Sequence, residues 1–131
     1  MKLLLVPCML AVSGCASSMQ ATTTARPVHL SQEQVKEVHE GVRKALKDPG
    51  SAQFGEMSAV IDGGMITVCG FVNAKNSFGG FTGQKRYIGM LADSTNATTK
   101  KRFLAFSVAA MGGGQADDFA VNEVCRKAGI S

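Results

Sequence analysis

Met65-Ile66-Thr67-Val68-Cys69-Gly70-Phe71-Val72-Asn73 is the stretch on which the fold turns. It is rich in β-branched residues and apolar at successive positions, so it reads as a central strand, buried on both faces. Asp62-Gly63-Gly64 just before it has the composition of a tight hairpin turn, and Met57, Ala59 and Ile61 alternate as a partner strand would. Beyond it, residues 85–91 and 101–109 read as two further strands, with a polar loop over residues 93–99 between them.

Helices are expected on either side of these strands. Ser31-Gln32-Glu33-Gln34 fits a capping box, Leu30 and Val35 are spaced as a hydrophobic staple, and Val35, Val38, Val42, Ala45 and Leu46 fall on one helical face. Lys44 and Lys47 suit the negative end of that helix, which stops at Asp48-Pro49-Gly50. His39 reads as an exposed helix residue away from the apolar face. Gly112-Gly113-Gly114 breaks the chain after the last strand. A second helix then begins near Asp117-Asp118, with Phe119, Ala120, Val121, Val124, Cys125 and Ala128 as its apolar side, and stops at Gly129. The expected architecture is α+β in the order α-β-β-β-β-α. A small antiparallel sheet of about four strands carries an N-terminal and a C-terminal helix, both packed on one face.

The chain has 131 residues, room for one domain, and its 45% hydrophobic and 18% charged content suits a packed core rather than disorder. The formal charge of +4 is a mild basic bias that a solvated surface accounts for. Residues 1–14 have the three parts of an export signal: Lys2, then the apolar Leu3-Leu4-Leu5-Val6 and Met9-Leu10-Ala11-Val12 interrupted by Pro7, then the small Ser13 and Gly14. The apolar run is about ten residues, short of the ~20 that span a bilayer as a helix. Val12-Ser13-Gly14-Cys15 resembles the lipobox of bacterial lipoproteins. The resemblance implies cleavage before Cys15, lipidation of its thiol, acylation of the new amine, and anchoring to a membrane through acyl chains of the palmitate kind. Ala16, rather than Asp, follows the cysteine, which by the same resemblance implies the outer membrane, facing the periplasm.

Of the four cysteines, Cys8 leaves with the signal and Cys15 takes lipid. Cys69 and Cys125 remain as an even pair in an oxidising compartment, where a structural disulfide is the expected state; a metal pair or a redox couple has no neighbouring His or Cys to support it. A bridge would contribute about 3–4 kcal/mol by constraining the unfolded chain. Residues 15–30, the lipidated cysteine and a small, polar, Thr-rich stretch, read as a flexible tether with an r.m.s. reach of about 20 Å. The folded domain is then expected over residues 31–131.

The segment from Asn73 to Gly83 stands out: three glycines, two asparagines and two phenylalanines in a loop between strands. Phe78 and Phe81 flank Gly79-Gly80. This is the chemistry of binding loops, in which rigid aromatic contacts sit among adaptable hydrogen-bonding groups. The other reading folds the rings back over the sheet edge, with glycine supplying positive φ. Lys47-Asp-Pro-Gly-Ser-Ala-Gln-Phe54, followed by Val68-Cys-Gly-Phe-Val-Asn-Ala-Lys-Asn-Ser-Phe-Gly-Gly-Phe-Thr-Gly83, resembles an uncharacterised group of small exported proteins from bacterial, plasmid and prophage-like contexts. The resemblance implies kinship without an activity, and marks Asn73, Lys75, Asn76 and Gly80 as positions that matter to the group.

Other chemistries find little support. Gly79-Gly80-Phe81-Thr82-Gly83-Gln84-Lys85 lacks the Gly-Lys-Ser/Thr at a helix start that a phosphate loop needs. The two histidines, His29 and His39, offer no base beside a nucleophile and no metal cluster, so neither an enzyme, a cofactor nor a metal is expected. Lys85-Arg86 and Lys100-Lys101-Arg102 suggest a basic patch on neighbouring strands, with lipid phosphates or cell-wall carboxylates better suited to it than nucleic acid. The expected function is a lipid-anchored, non-catalytic envelope module that binds an unidentified envelope protein or cell-wall component through the loop. An exclusion-type role is one version of it. An inhibitor of a periplasmic lytic enzyme and a structural accessory of an envelope complex are the alternatives.

Overall fold

A computed structural model describes residues 24–131, so the signal, Cys15 and most of the tether expected from the sequence lie outside the described residues. The elements are β1 (Arg26–Val28), α1 (Gln32–Ala45), β2 (Gln53–Asp62), β3 (Met65–Asn73), β4 (Lys85–Thr95), β5 (Arg102–Met111) and α2 (Gln115–Lys127), with a single 3₁₀ turn at Pro49–Ser51. The strands form one antiparallel sheet in the order β1-β2-β3-β4-β5. The fold is α+β, as the sequence indicates, with five strands where four were expected.

The extra strand comes from the end of the expected tether. Arg26, Pro27 and Val28 pair with Ile61, Val60 and Ala59 along the free edge of β2. Proline cannot donate to a sheet ladder, and an edge strand of three residues is where it is tolerated. Strand β4 also runs to Thr95, into the expected polar loop, because Ala92 to Thr95 pair with Arg102 to Ala105.

Strand β3 is apolar on both faces because both are covered. Its even positions Ile66, Val68 and Val72 join Ala59, Tyr87, Leu91 and Phe106, and Val38 and Val42 of α1 close that layer. On the other face, Cys69 joins Val60, Ile88, Val121, Cys125 and Ile130 beneath α2. The two helices therefore lie on opposite faces, not on one. A sheet with two apolar faces needs two covers. Cys69 and Cys125 are joined, with their Cα atoms 6.1 Å apart, fixing α2 to the central strand as expected.

Helix α1 starts as its sequence directs: Ser31 Oγ accepts from the Gln34 amide, and Gln34 Oε1 accepts from the Ser31 amide. Gly41 lets the helix lie against β5, since a Cβ there would stand 2.6 Å from the Phe106 carbonyl oxygen. Departures from the expected helix faces have geometric causes, and Val124, expected on the apolar side of α2, is also exposed. His39 follows Val35 by four and precedes Val42 by three, which puts it on the edge of the apolar stripe; its ring stacks on Phe54 with centroids 3.8 Å apart. Phe119 is 70% exposed, because the contact stripe of α2 is only as wide as Val121 and Cys125, four residues apart.

Candidate functional site

The 73–83 segment joins β3 to β4 at one end of the sheet, and side chains of its own make it a built structure. Asn76 is the hub. Its Oδ1 accepts from the Phe78 amide at 2.9 Å and the Gly80 amide at 3.1 Å, while its own amide donates to the Gly80 carbonyl at 2.8 Å. The Gly79 amide returns to the Asn76 carbonyl at 3.1 Å, and Gly79 has φ 83°, a backbone conformation that a side chain opposes. Gly80, singled out from the sequence, has no such φ; it serves through its amide and carbonyl. Asn73 closes the base of the loop, its Oδ1 accepting from the Gly83 amide at 3.0 Å.

Lys75 and Phe81 pair across the loop as a short antiparallel bridge. The Lys75 ammonium stands 5.6 Å from the Phe81 ring centroid, within cation–π range. The Lys75 amide donates to Ser51 Oγ at 2.8 Å, tying the loop to the 3₁₀ turn after α1. These bonds leave the aromatic rings outside: Phe81 is 48% exposed and Phe78 is 96% exposed. At that exposure the Phe78 ring is not folded over the sheet edge. Holding a phenyl ring in water is unfavourable by roughly 2 kcal/mol relative to burying it. A rigid loop that does so has prepaid part of the cost of a contact, because the ring loses little freedom when it is covered.

Beside the loop lies a cleft of about 150 Å³ lined by Lys47, Lys75 and Lys85 above an apolar floor of Leu46, Val72, Ala74 and Met111. None of these three lysines forms a salt bridge among the described residues. Three lysines and no carboxylate among the residues lining an apolar cleft suit an acidic group flanked by small apolar atoms. Sequence reasoning missed this cleft and the role of Ser51, since both depend on where α1 ends against β3. The Asx-type spacing of Asn76 and Phe78 was the one local signal of the scaffold.

The basic patch expected from Lys85-Arg86 and Lys100-Lys101-Arg102 does not form, because the antiparallel β4–β5 register puts the two runs at opposite ends of the strands. Arg86 lies over the Phe71 ring, 5.4 Å from its centroid, and donates to Asn122 Oδ1 at 3.0 Å. Arg102 is held by Asp93 through two bonds of 2.8 and 2.7 Å. Among the described residues no group of His, Cys, Asp and Glu could hold a metal ion, and no helix is long and apolar enough to cross a membrane. Burial, then the Arg43 charge, lowers the pKa of His39. Compared with protein-family models, with curated protein sequences and with solved structures, the chain finds no match.

Proposed function

We propose that this chain is a lipid-anchored envelope lipoprotein, fixed to the outer membrane through Cys15 and facing the periplasm, and that its 73–83 loop is a non-catalytic binding site for an envelope partner. The observation that carries the binding reading is Phe78, 96% exposed at the tip of a loop whose backbone is fixed by Asn76. Exposed aromatic anchors on rigid scaffolds are the usual energetic centres of protein interfaces. The lysine-rimmed cleft beside the loop supports a partner that offers an acidic group next to an apolar pocket.

Polarity along the sheet supports the anchor. Arg26 pairs with Ile61 beside the Asp62–Met65 turn, whereas the loop leaves β3 at Asn73, the opposite end of that strand. An anchor reaching the chain through residues 16–23 would hold the domain with Phe78 directed away from the membrane. The test is cross-linking in native membranes followed by mass spectrometry, with Phe78→Ala/Phe81→Ala as the comparison. The double variant is expected to lose at least tenfold of the captured partner while its melting temperature stays within a few degrees. A variant that captures as well as the parent would sink the reading, and a large loss of stability would show the rings to be structural.

An inhibitor reading is favoured by the same Phe78, an exposed aromatic side chain that would enter an enzyme cleft. Inhibition of one member of a lysozyme panel at micromolar protein would establish it over the first reading.

A further inference from the structure

Helix α2 covers only part of its face of the sheet. It crosses at the level of Cys69 and Ile88, and it turns its Asn122 side toward Arg86 and the 73–83 loop. On β2 the cover reaches Val60, opposite Thr67, but on β3, β4 and β5 the part of that face toward the β2–β3 turn is open among the described residues. Its side chains alternate outward from three strands: Met65 and Thr67 on β3, Met90, Ala92 and Ser94 on β4, Phe103, Ala105 and Ser107 on β5, in register across Thr67–Met90, Met90–Ser107, Ala92–Ala105 and Ser94–Phe103. Met65 is 53% exposed, Met90 42% and Phe103 60%. A shallow cleft of about 350 Å³, lined by Gly63, Gly64, Met65, Met90 and Ala92 among others, opens in the same surface. A sheet face is ordinarily polar where water reaches it, and three large apolar side chains together mark a surface that meets something other than water.

Two further observations bear on what it meets. Lys100 and Lys101 stand at the β4–β5 turn beside Phe103, at the same end of the sheet, and neither is in a salt bridge among the described residues. The chain also joins the sheet at this end: Thr24 donates a hydrogen bond to Asp62, and Arg26 pairs with Ile61. From Cys15 to Thr24 is nine residues, at most about 30 Å when fully extended and about 16 Å as a flexible coil.

We propose that this open half-face, with Met65, Met90 and Phe103 as its apolar contacts and Lys100 and Lys101 at its rim, rests on the phospholipid surface in which the chain is anchored. The inference builds on the lipid-anchor reading above. A bilayer surface suits the chemistry: methionine and phenylalanine side chains enter the headgroup boundary, and lysine stems reach the phosphates. A short tether attached at this end keeps the patch within reach of the surface, so the membrane is always the nearest large partner.

The sequence contains no tryptophan, so a single one reports on its own surroundings. The full chain, processed by its host and reconstituted into phosphatidylethanolamine–phosphatidylglycerol vesicles, is compared with and without bromine on the lipid acyl chains. Phe103→Trp and, separately, Met65→Trp are expected to emit at shorter wavelength and to lose most of their intensity to brominated lipid. Phe78→Trp, at the other end, is expected to lose none. Thermal unfolding of each variant confirms that the fold is kept, and two positions guard against one substitution failing. Vesicle flotation separates the two levels of inference: a chain that does not float lacks the anchor. A chain that floats while Trp at 103 and 65 behaves like Trp at 78 overturns the membrane contact alone. Blue-shifted but unquenched emission would mean that protein, a second copy or another chain, covers the face, and would overturn it equally.

Discussion

Tyr87 shows what a single residue demands of its neighbours. Its ring is fully buried beneath α1, edge-on to Phe106 with centroids 6.3 Å apart. Room for both rings comes from glycines: a Cβ at Gly70 would stand 2.4 Å from the Tyr87 hydroxyl, and one at Gly89 2.2 Å from the Phe106 ring. Among the described residues the hydroxyl itself has no hydrogen-bond partner. Tyr87→Phe is therefore expected to leave the melting temperature unchanged or raise it, by up to about 1 kcal/mol of stability, because an unsatisfied buried group is removed. Burial also pushes the Tyr87 pKa from 10.0 to about 12, so the folded protein holds the phenolic proton more tightly than the unfolded chain does. The corresponding stability is fully present below pH 10 and lost as pH rises toward 12. Denaturant midpoints across that window should fall for the parent and fall less for Tyr87→Phe; equal slopes would refute the assignment. Neither Gly70 nor Gly89 could be given this role from sequence, because the reason is a partner one strand away.

Between elements, the informative contact is the clamp of α1 onto the β4–β5 hairpin. Arg102 holds Asp93 through two bonds and also reaches Glu33, while Gln34 Nε2 donates to Asp93 at 2.8 Å. The Arg102 hydrogen bonds lower the Asp93 pKa to about 2 from 3.8. A depressed carboxylate contributes stability that is present above pH 3.8 and is lost as pH falls toward 2. Asp93→Asn should therefore lower the melting temperature at neutral pH and flatten the acid limb of the stability curve, as followed by circular dichroism. The 73–83 loop makes a second prediction at this scale. Asn76→Ala removes two side-chain acceptor bonds, each worth about 1 kcal/mol, from a segment outside the core. Hydrogen exchange should speed up at the Phe78 and Gly80 amides, with β3 and α1 unaffected; unchanged exchange would show that the loop is held by other means. The capping box of α1 and the composition of the loop were both legible, since each is written in adjacent residues. Which asparagine scaffolds and which phenylalanine is presented was not legible, because that is settled by hydrogen bonds that exist only once the hairpin has closed.

For the whole molecule, the two covers are unequal. Among the described residues the α1 side packs nine buried residues, and the α2 side six, two of them the bonded cysteines. Cys69→Ala/Cys125→Ala should cost about 3–4 kcal/mol in the denaturant midpoint, with protection lost first along α2. Uniform loss across α1 and α2 would show instead that the two layers unfold as one. The α+β class, both helices and the cysteine pair followed from period, caps and cysteine count. The placement of the helices did not: the even and odd positions of β3 were both seen to be apolar, but one face was left without a cover. Strand β1 was hidden for a different reason. Arg26-Pro27-Val28 has no alternation of its own, and only the free edge of β2 makes it a strand.

That short strand has a mechanical consequence. Its three residue pairs join it to β2 by bonds that run across the strand axis, so tension on the N-terminal segment loads them in shear. With the Thr24–Asp62 hydrogen bond, they are the first resistance a pull meets among the described residues. Once they part, load passes along residues 24–30, a span of at most about 24 Å, to the capped and clamped start of α1. The strand thus acts as a fuse, yielding under force before the sheet, the disulfide and the presented loop are loaded.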